Sequence, residues 1–169
     1  MTPDLSRVGE WYHNYIKLVP ESDLNAAFAN KDNNLIEFFS NIPPSKRGYR
    51  YAEGKWTIQE MLQHIIDAER VFIYRALRFA RKDSTPLHGF DENLYAANAR
   101  ADTRQWDDLL EEFIITRRSS GIFFRSLGED QLEANGISSG SPIYVRALGY
   151  IVIGHALHHR NILQERYLG

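Results

Sequence analysis

Three of the chain's six histidines fall within five positions, in Gly154-His155-Ala156-Leu157-His158-His159-Arg160, inside an apolar run. An α-helix turns about 100° per residue, so His155 and His159 share one face, about 6 Å apart along the axis. Two imidazoles so placed can ligate one metal ion, and a complete site needs at least a third group from elsewhere in the chain. His155 with His158, spaced by three, is the alternative pair. No His-Glu-x-x-His sequence occurs, so the built-in general base of the zinc proteases is missing.

The composition narrows the chemistry. A chain of 169 residues suits one ordinary domain with a real hydrophobic core. Twenty basic residues against 22 acidic ones give no reason to expect nucleic acid or an anionic membrane as a partner. The absence of cysteine excludes disulfides, thiolate ligands and a cysteine nucleophile. There is neither a signal-like N-terminus nor a long apolar span, so a cytoplasmic protein is expected.

Helical patterning dominates. An amphipathic piece with Trp11, Tyr12, Tyr15 and Ile16 ends at Pro20. A helix capped at Ser22 or Asp23 should follow, carrying Leu24, Phe28, Leu35 and Phe39 and stopping at Pro43-Pro44. After a loop over 45–55, Thr57-Ile58-Gln59-Glu60 fits a capping box, and a long helix should run from there to about Arg81. Residues 83–101 form a long connection with a helical turn near Glu92 to Ala97. Asp102 or Thr103 should cap a third long helix through Trp106, Phe113 and Phe124. Ser141-Pro142, with the serine as cap and the proline at the first helical position, should start the last one, running to about Tyr167. The expected fold is all-α: a four-helix bundle with a long crossover and a short extra N-terminal helix, in one domain over 1–169.

A third ligand is available in the second long helix. There Glu60, His64, Asp67, Ala68, Val71, Arg75 and Arg78 point within about 60° of one direction, a partly polar stripe where a buried face should be apolar. If this helix neighbours the last, His64, His155 and His159 can converge as neutral nitrogen ligands with an open position for water or substrate. Asp67, one turn beyond His64, could orient an imidazole or take a proton. Glu60 more simply serves its cap. Arg75, Arg78 and Arg117 could meet a carboxylate or phosphate of a cosubstrate, or form ion pairs with Asp67 or Glu69. Imidazoles accept zinc, nickel, iron or copper, so ligand type does not choose the metal.

Lys55-Trp56-Thr57, the run with Leu62, His64, Asp67, Glu69 and Arg70, then Tyr74-Arg75-Ala76-Leu77-Arg78, Gly89-Phe90-Asp91-Glu92-Asn93, Arg117 and Gly154-His155-x-x-His158-His159 occur in this order. Together they resemble the DinB/YfiT-like superfamily of damage-inducible, metal-dependent proteins, over about residues 20–167. The resemblance implies a nickel, zinc or iron ion on His64, His155 and His159. It further implies activity as a thiol S-transferase of the bacillithiol type, with a low-molecular-weight thiol and an electrophile as substrates. A metal-dependent hydrolase acting on esters is an alternative, and so is a non-catalytic stress-response module with a structural or vestigial metal. Many relatives carry an acidic residue where this chain has Ala156, so no carboxylate is expected there. Related bundles often pair, and Trp11, Tyr12 and Tyr15 are candidates for a homodimer contact.

Overall fold

The computed structural model describes residues 1–169. Two short turns lead into α1 (His13–Lys17), the expected N-terminal helix. α2 (Leu24–Ser40) follows, and of its two candidate caps it uses Asp23, whose carboxylate accepts the Ala26 N–H at 2.7 Å. α3 (Pro44–Arg47) is a single turn inside the expected loop. α4 (Ile58–Ala80) opens on the expected capping box: Thr57 Oγ1 accepts the Glu60 N–H at 3.1 Å, and the Glu60 carboxylate accepts the Thr57 N–H at 2.7 Å.

The crossover contains α5 (Glu92–Asn98), capped by Asp91. Then come α6 (Trp106–Arg125), the one-turn α7 (Glu129–Leu132), strands β1 (Asn135–Ser138) and β2 (Ser141–Tyr144), and α8 (Val145–Leu163), which closes in a π-helical turn over Gln164–Leu168. No helix is long and apolar enough to cross a membrane.

α2, α4, α6 and α8 form the bundle. Each packs on two others, in the ring order α2, α6, α4, α8. Residue pairs fix the directions. Gln59 and Gln63 of α4 reach Arg104 just before α6, and Arg70 meets Glu112, so α4 and α6 run parallel. Phe28 stacks on Phe124 and Phe39 meets Phe113, so α2 and α6 are antiparallel. The Tyr150 hydroxyl donates to the Glu21 carbonyl, which brings the starts of α2 and α8 together. The order is therefore up, down, down, up. Two successive parallel helices require a connection that returns along the bundle, and this is what the segment from α4 to α6 does.

Two helix starts differ from expectation. Ser141-Pro142 does not begin α8 but belongs to β2, which pairs antiparallel with β1 in the register Ser138↔Ser141 and Asn135↔Tyr144. The two turn residues, Ser139 and Gly140, have φ of 53° and 77°, the pair of positive values that a tight two-residue hairpin requires. Leu87 of the crossover joins this hairpin through hydrogen bonds to the Ile137 carbonyl and from the Ser139 N–H. Likewise, Asp102 and Thr103 lie in a 3-10 turn, and α6 starts after Gln105 without a side-chain cap.

All four long helices meet at Arg117, which is fully buried. It donates to Glu69 of α4 at 2.9 Å, to Asp32 of α2 at 2.5 and 3.0 Å, and to the Val152 carbonyl of α8 at 3.3 Å. Ser120, one turn along α6, donates to the other Glu69 oxygen at 2.6 Å. A buried cation is tolerable only when paired and hydrogen-bonded, so this network sets how the four helices approach.

Candidate metal centre

α4 and α8 lie against each other along much of their length. This brings His64, two turns into α4, opposite His155 and His159 on successive turns of α8. The three Nε2 atoms form a nearly equilateral triangle: 3.1 Å from His64 to His155, 3.2 Å from His64 to His159 and 3.1 Å from His155 to His159. All three residues are buried.

Hydrogen bonding within the trio cannot account for this triangle. A neutral imidazole nitrogen either carries a proton or offers a lone pair. Of three mutually touching nitrogens, at least two are therefore of the same kind, and their contact is repulsive. A shared cation removes the conflict by accepting all three lone pairs. Nitrogen ligands about 2.0–2.1 Å from one ion stand about 2.9 Å apart at right angles and about 3.4 Å apart at the tetrahedral angle. The observed separations lie between these limits, so the residues fit a divalent ion.

Electrostatics agree with neutral ligands. Burial lowers His64 to about 4. Burial, followed by the neighbouring imidazole charges, holds His155 and His159 well below the usual histidine range. In an unfolded chain these groups titrate near 6.5. As pH falls from about 6.5 toward 4, the unfolded state of the metal-free protein gains protons that the folded state refuses. Stability is thus full above the window and is lost on acidification. The share of His64 alone between about pH 7 and pH 5 is expected to be about 2 kcal/mol. Urea unfolding of metal-free protein at the two pH values should show this loss, with a smaller one in His64→Gln. An equal loss in both proteins would mean that His64 is not held neutral.

Aromatic rings fix the imidazoles. Trp56 lies on His64 with ring centroids 4.7 Å apart, and Tyr15 and Phe72 meet His155 edge-on at 5.3 and 5.6 Å. His158 packs against Tyr15 and the His159 ring, outside the triangle. His159 Nδ1 is buried without a hydrogen-bond partner. Two clefts reach the cluster. One, of about 230 Å³, borders His159 together with Trp56, Met61, Ile162 and Tyr167. The other, of about 210 Å³, borders His64 and His155 together with Tyr12, Tyr15, Phe72 and Arg75.

The remaining candidates are distributed differently. Asp67 accepts from Gln63 at 3.0 Å and lies 3.9 Å from Arg70; it touches none of the three histidines. Arg117 sits in the four-helix network and borders neither cleft. Arg78 faces outward, paired with Asp83 and Tyr74. Arg75 alone among these borders the histidine cavity. Glu60 keeps to its cap. The aromatic residues offered for a dimer contact divide too: Tyr12 is buried and Tyr15 half-buried within the chain, while Trp11 stays 53% exposed. Trp56, Tyr12, Tyr15 and Ser139 as cavity walls were not foreseen. Only Trp56 carried a local signal, since it directly precedes the capping box.

Residues 27–163 match the sequence profile of the DinB superfamily, and the chain belongs to that superfamily. Among solved structures it is similar to YfiT from Bacillus subtilis, described as a probable metal-dependent hydrolase with an unusual four-helix bundle topology. The TM-score is 0.69 at 17% identity, covering 98% of this chain and 90% of that one. At that identity the likeness concerns the fold. No curated protein matches the chain.

Proposed function

We propose that the protein is a metal-dependent enzyme that holds one divalent transition-metal ion on His64, His155 and His159 and catalyses transfer of a low-molecular-weight thiol to an electrophile. The observation that carries the reading is the triangle of Nε2 atoms placed between two clefts. Bound to three neutral imidazoles, such an ion keeps its full charge and lowers the pKa of a coordinated thiol or water toward neutrality.

The chain's own residues do the rest. Trp56, Tyr15 and Phe72 hold the imidazoles in place and exclude water from their flanks. The cleft beside His159 and the cavity beside His64 and His155 give two molecules separate approaches, which suits a two-substrate transfer. With no cysteine in the chain, the sulfur has to come from a cosubstrate. No carboxylate hydrogen-bonds the histidines, and the one acidic side chain bordering their cavity, Glu92, is exposed at its rim, so no buried general base adjoins them. This favours a nucleophile that ionises readily by itself, as a thiol does.

Hydrolysis of an ester is the second reading, favoured by the description of the similar YfiT fold. The deciding experiment incubates metal-loaded protein with monochlorobimane and bacillithiol, glutathione or coenzyme A, and in parallel with nitrophenyl esters. Thiol-dependent turnover that chelation abolishes is expected. Ester cleavage without any thiol requirement would select the hydrolase. No metal-dependent turnover in either arm would contradict both and leave a binding module.

A further inference from the structure

The chain buries three arginines, and two of them are neutralised twice over. Arg117 pairs with Glu69 and Asp32, and Arg146 pairs with Glu129 and Glu133. Arg75, only 1% exposed, takes part in no ion pair. Its guanidinium donates to three neutral oxygens: the Tyr12 hydroxyl at 3.2 Å, the His88 carbonyl at 3.1 Å and Ser139 Oγ at 3.1 Å. These come from the N-terminal segment, the crossover and the hairpin turn. They orient the group from three sides and leave its charge uncompensated, which is costly for a buried cation. Ser139 reaches it from the left-handed position that the hairpin turn requires, φ 53°.

Arg75 also borders the cavity that touches His64 and His155. Residues 64 and 75 lie eleven apart on α4, so they share a face about 16 Å apart along its axis. Between them the lining is Ala68 and Phe72, with Tyr12, Tyr15 and Phe90 opposite. The exposed Glu92 stands at the rim and forms no ion pair with Arg75. Arg75 and Phe90 further border a wider cleft of about 610 Å³, whose walls include Arg70 and Arg78 and no acidic side chain.

We propose that Arg75 anchors a carboxylate of the substrate, so that the cavity takes an extended, partly aromatic acid with its reacting end toward the histidines. The reacting end rests on the metal-centre reading above; the anchor does not. A carboxylate accepting from an N–H that these three contacts leave free would supply the missing counter-ion in a charge-assisted hydrogen bond, and the aromatic walls would hold the apolar body.

The test compares 4-phenylbutyrate with 4-phenylbutanamide, by NMR titration of the full chain in metal-free and zinc-loaded form. The acid is expected to bind wild-type protein at least about tenfold more tightly than the amide in both forms. In Arg75→Met the acid should fall to the level of the amide, and Arg75→Lys should keep part of the preference. Equal binding of acid and amide to wild-type protein, or a preference that survives in Arg75→Met, overturns the proposal. A preference that disappears when the metal is removed puts the carboxylate on the ion; that overturns the Arg75 anchor and leaves the metal centre standing. A preference that depends on Arg75 in protein that takes up no zinc sustains the anchor and overturns the metal centre. Should Arg75→Met fail to fold, Arg75→Lys and the metal-free wild-type comparison decide.

Discussion

Replacing Gly154 by alanine should detach the N-terminal segment from the bundle and cost about 1–3 kcal/mol or more of stability. A Cβ at this position would lie 2.0 Å from the Tyr15 carbonyl oxygen and 2.5 Å from its carbon. Both are backbone atoms, so no rotamer change relieves the clash, and α1 has to move as a unit. Tyr15 would then leave His155 and His158, and Tyr12 would leave Arg75. The imidazoles belong to α4 and α8, so metal uptake should persist while the cavity beside His64 opens. Thermal unfolding and limited proteolysis of residues 1–20 would show the change. Wild-type stability and wild-type protection in Gly154→Ala would mean that α1 is not seated as described.

Glu69→Ala should cost about 3–5 kcal/mol, because it strips a buried guanidinium of its best-buried counter-ion and leaves Ser120 only its longer contact with the Thr116 carbonyl. Arg117→Met should cost at least as much, since it strands Glu69 and Asp32 together. Burial already raises both carboxyls, and without Arg117 they would take up protons more readily still. The double variant Glu69→Leu/Arg117→Met should recover part of the loss, with Asp32 still unpaired, because a buried ion pair gains little net stability over a well-packed apolar pair. A double-mutant cycle by urea unfolding measures the coupling. Additive losses would show that Glu69 and Arg117 do not act as a unit.

What could be read from the residues alone divides by range. Thr57 to Glu60 and Asp23 are local signals, and both caps are found where the spacing puts them. His155 and His159 are likewise local, four apart on one helix. Their convergence with His64 depends on which helices are neighbours, which spacing leaves open and the family resemblance supplied.

Helix periodicity placed Asp67 on the same stripe as His64, but 60° of arc is wide enough to send the two side chains to different neighbours: Asp67 to Gln63 and Arg70, His64 to α8. The ion pair of Arg117 with Glu69 is one of the alternatives the sequence offers and is found, but the role of Arg117 as a four-helix tie has no local signal, because its partners lie up to 85 residues away in the chain. Ser141-Pro142 reads as a helix start in isolation. Its strand pairing comes from the hairpin turn and from Leu87, which belongs to a distant loop. The contact of Arg75 with Tyr12 spans 63 residues and is equally invisible in local pattern.

Metal content tests the central claim most directly. Protein purified without chelator and equilibrated with zinc, then analysed by inductively coupled plasma mass spectrometry, should carry about one ion per chain. His158→Ala should match it, since His158 lies outside the triangle. His64→Ala should carry none while keeping its helical circular dichroism. Full occupancy in a folded His64→Ala protein, or no uptake by the wild type, would contradict a site built from His64, His155 and His159.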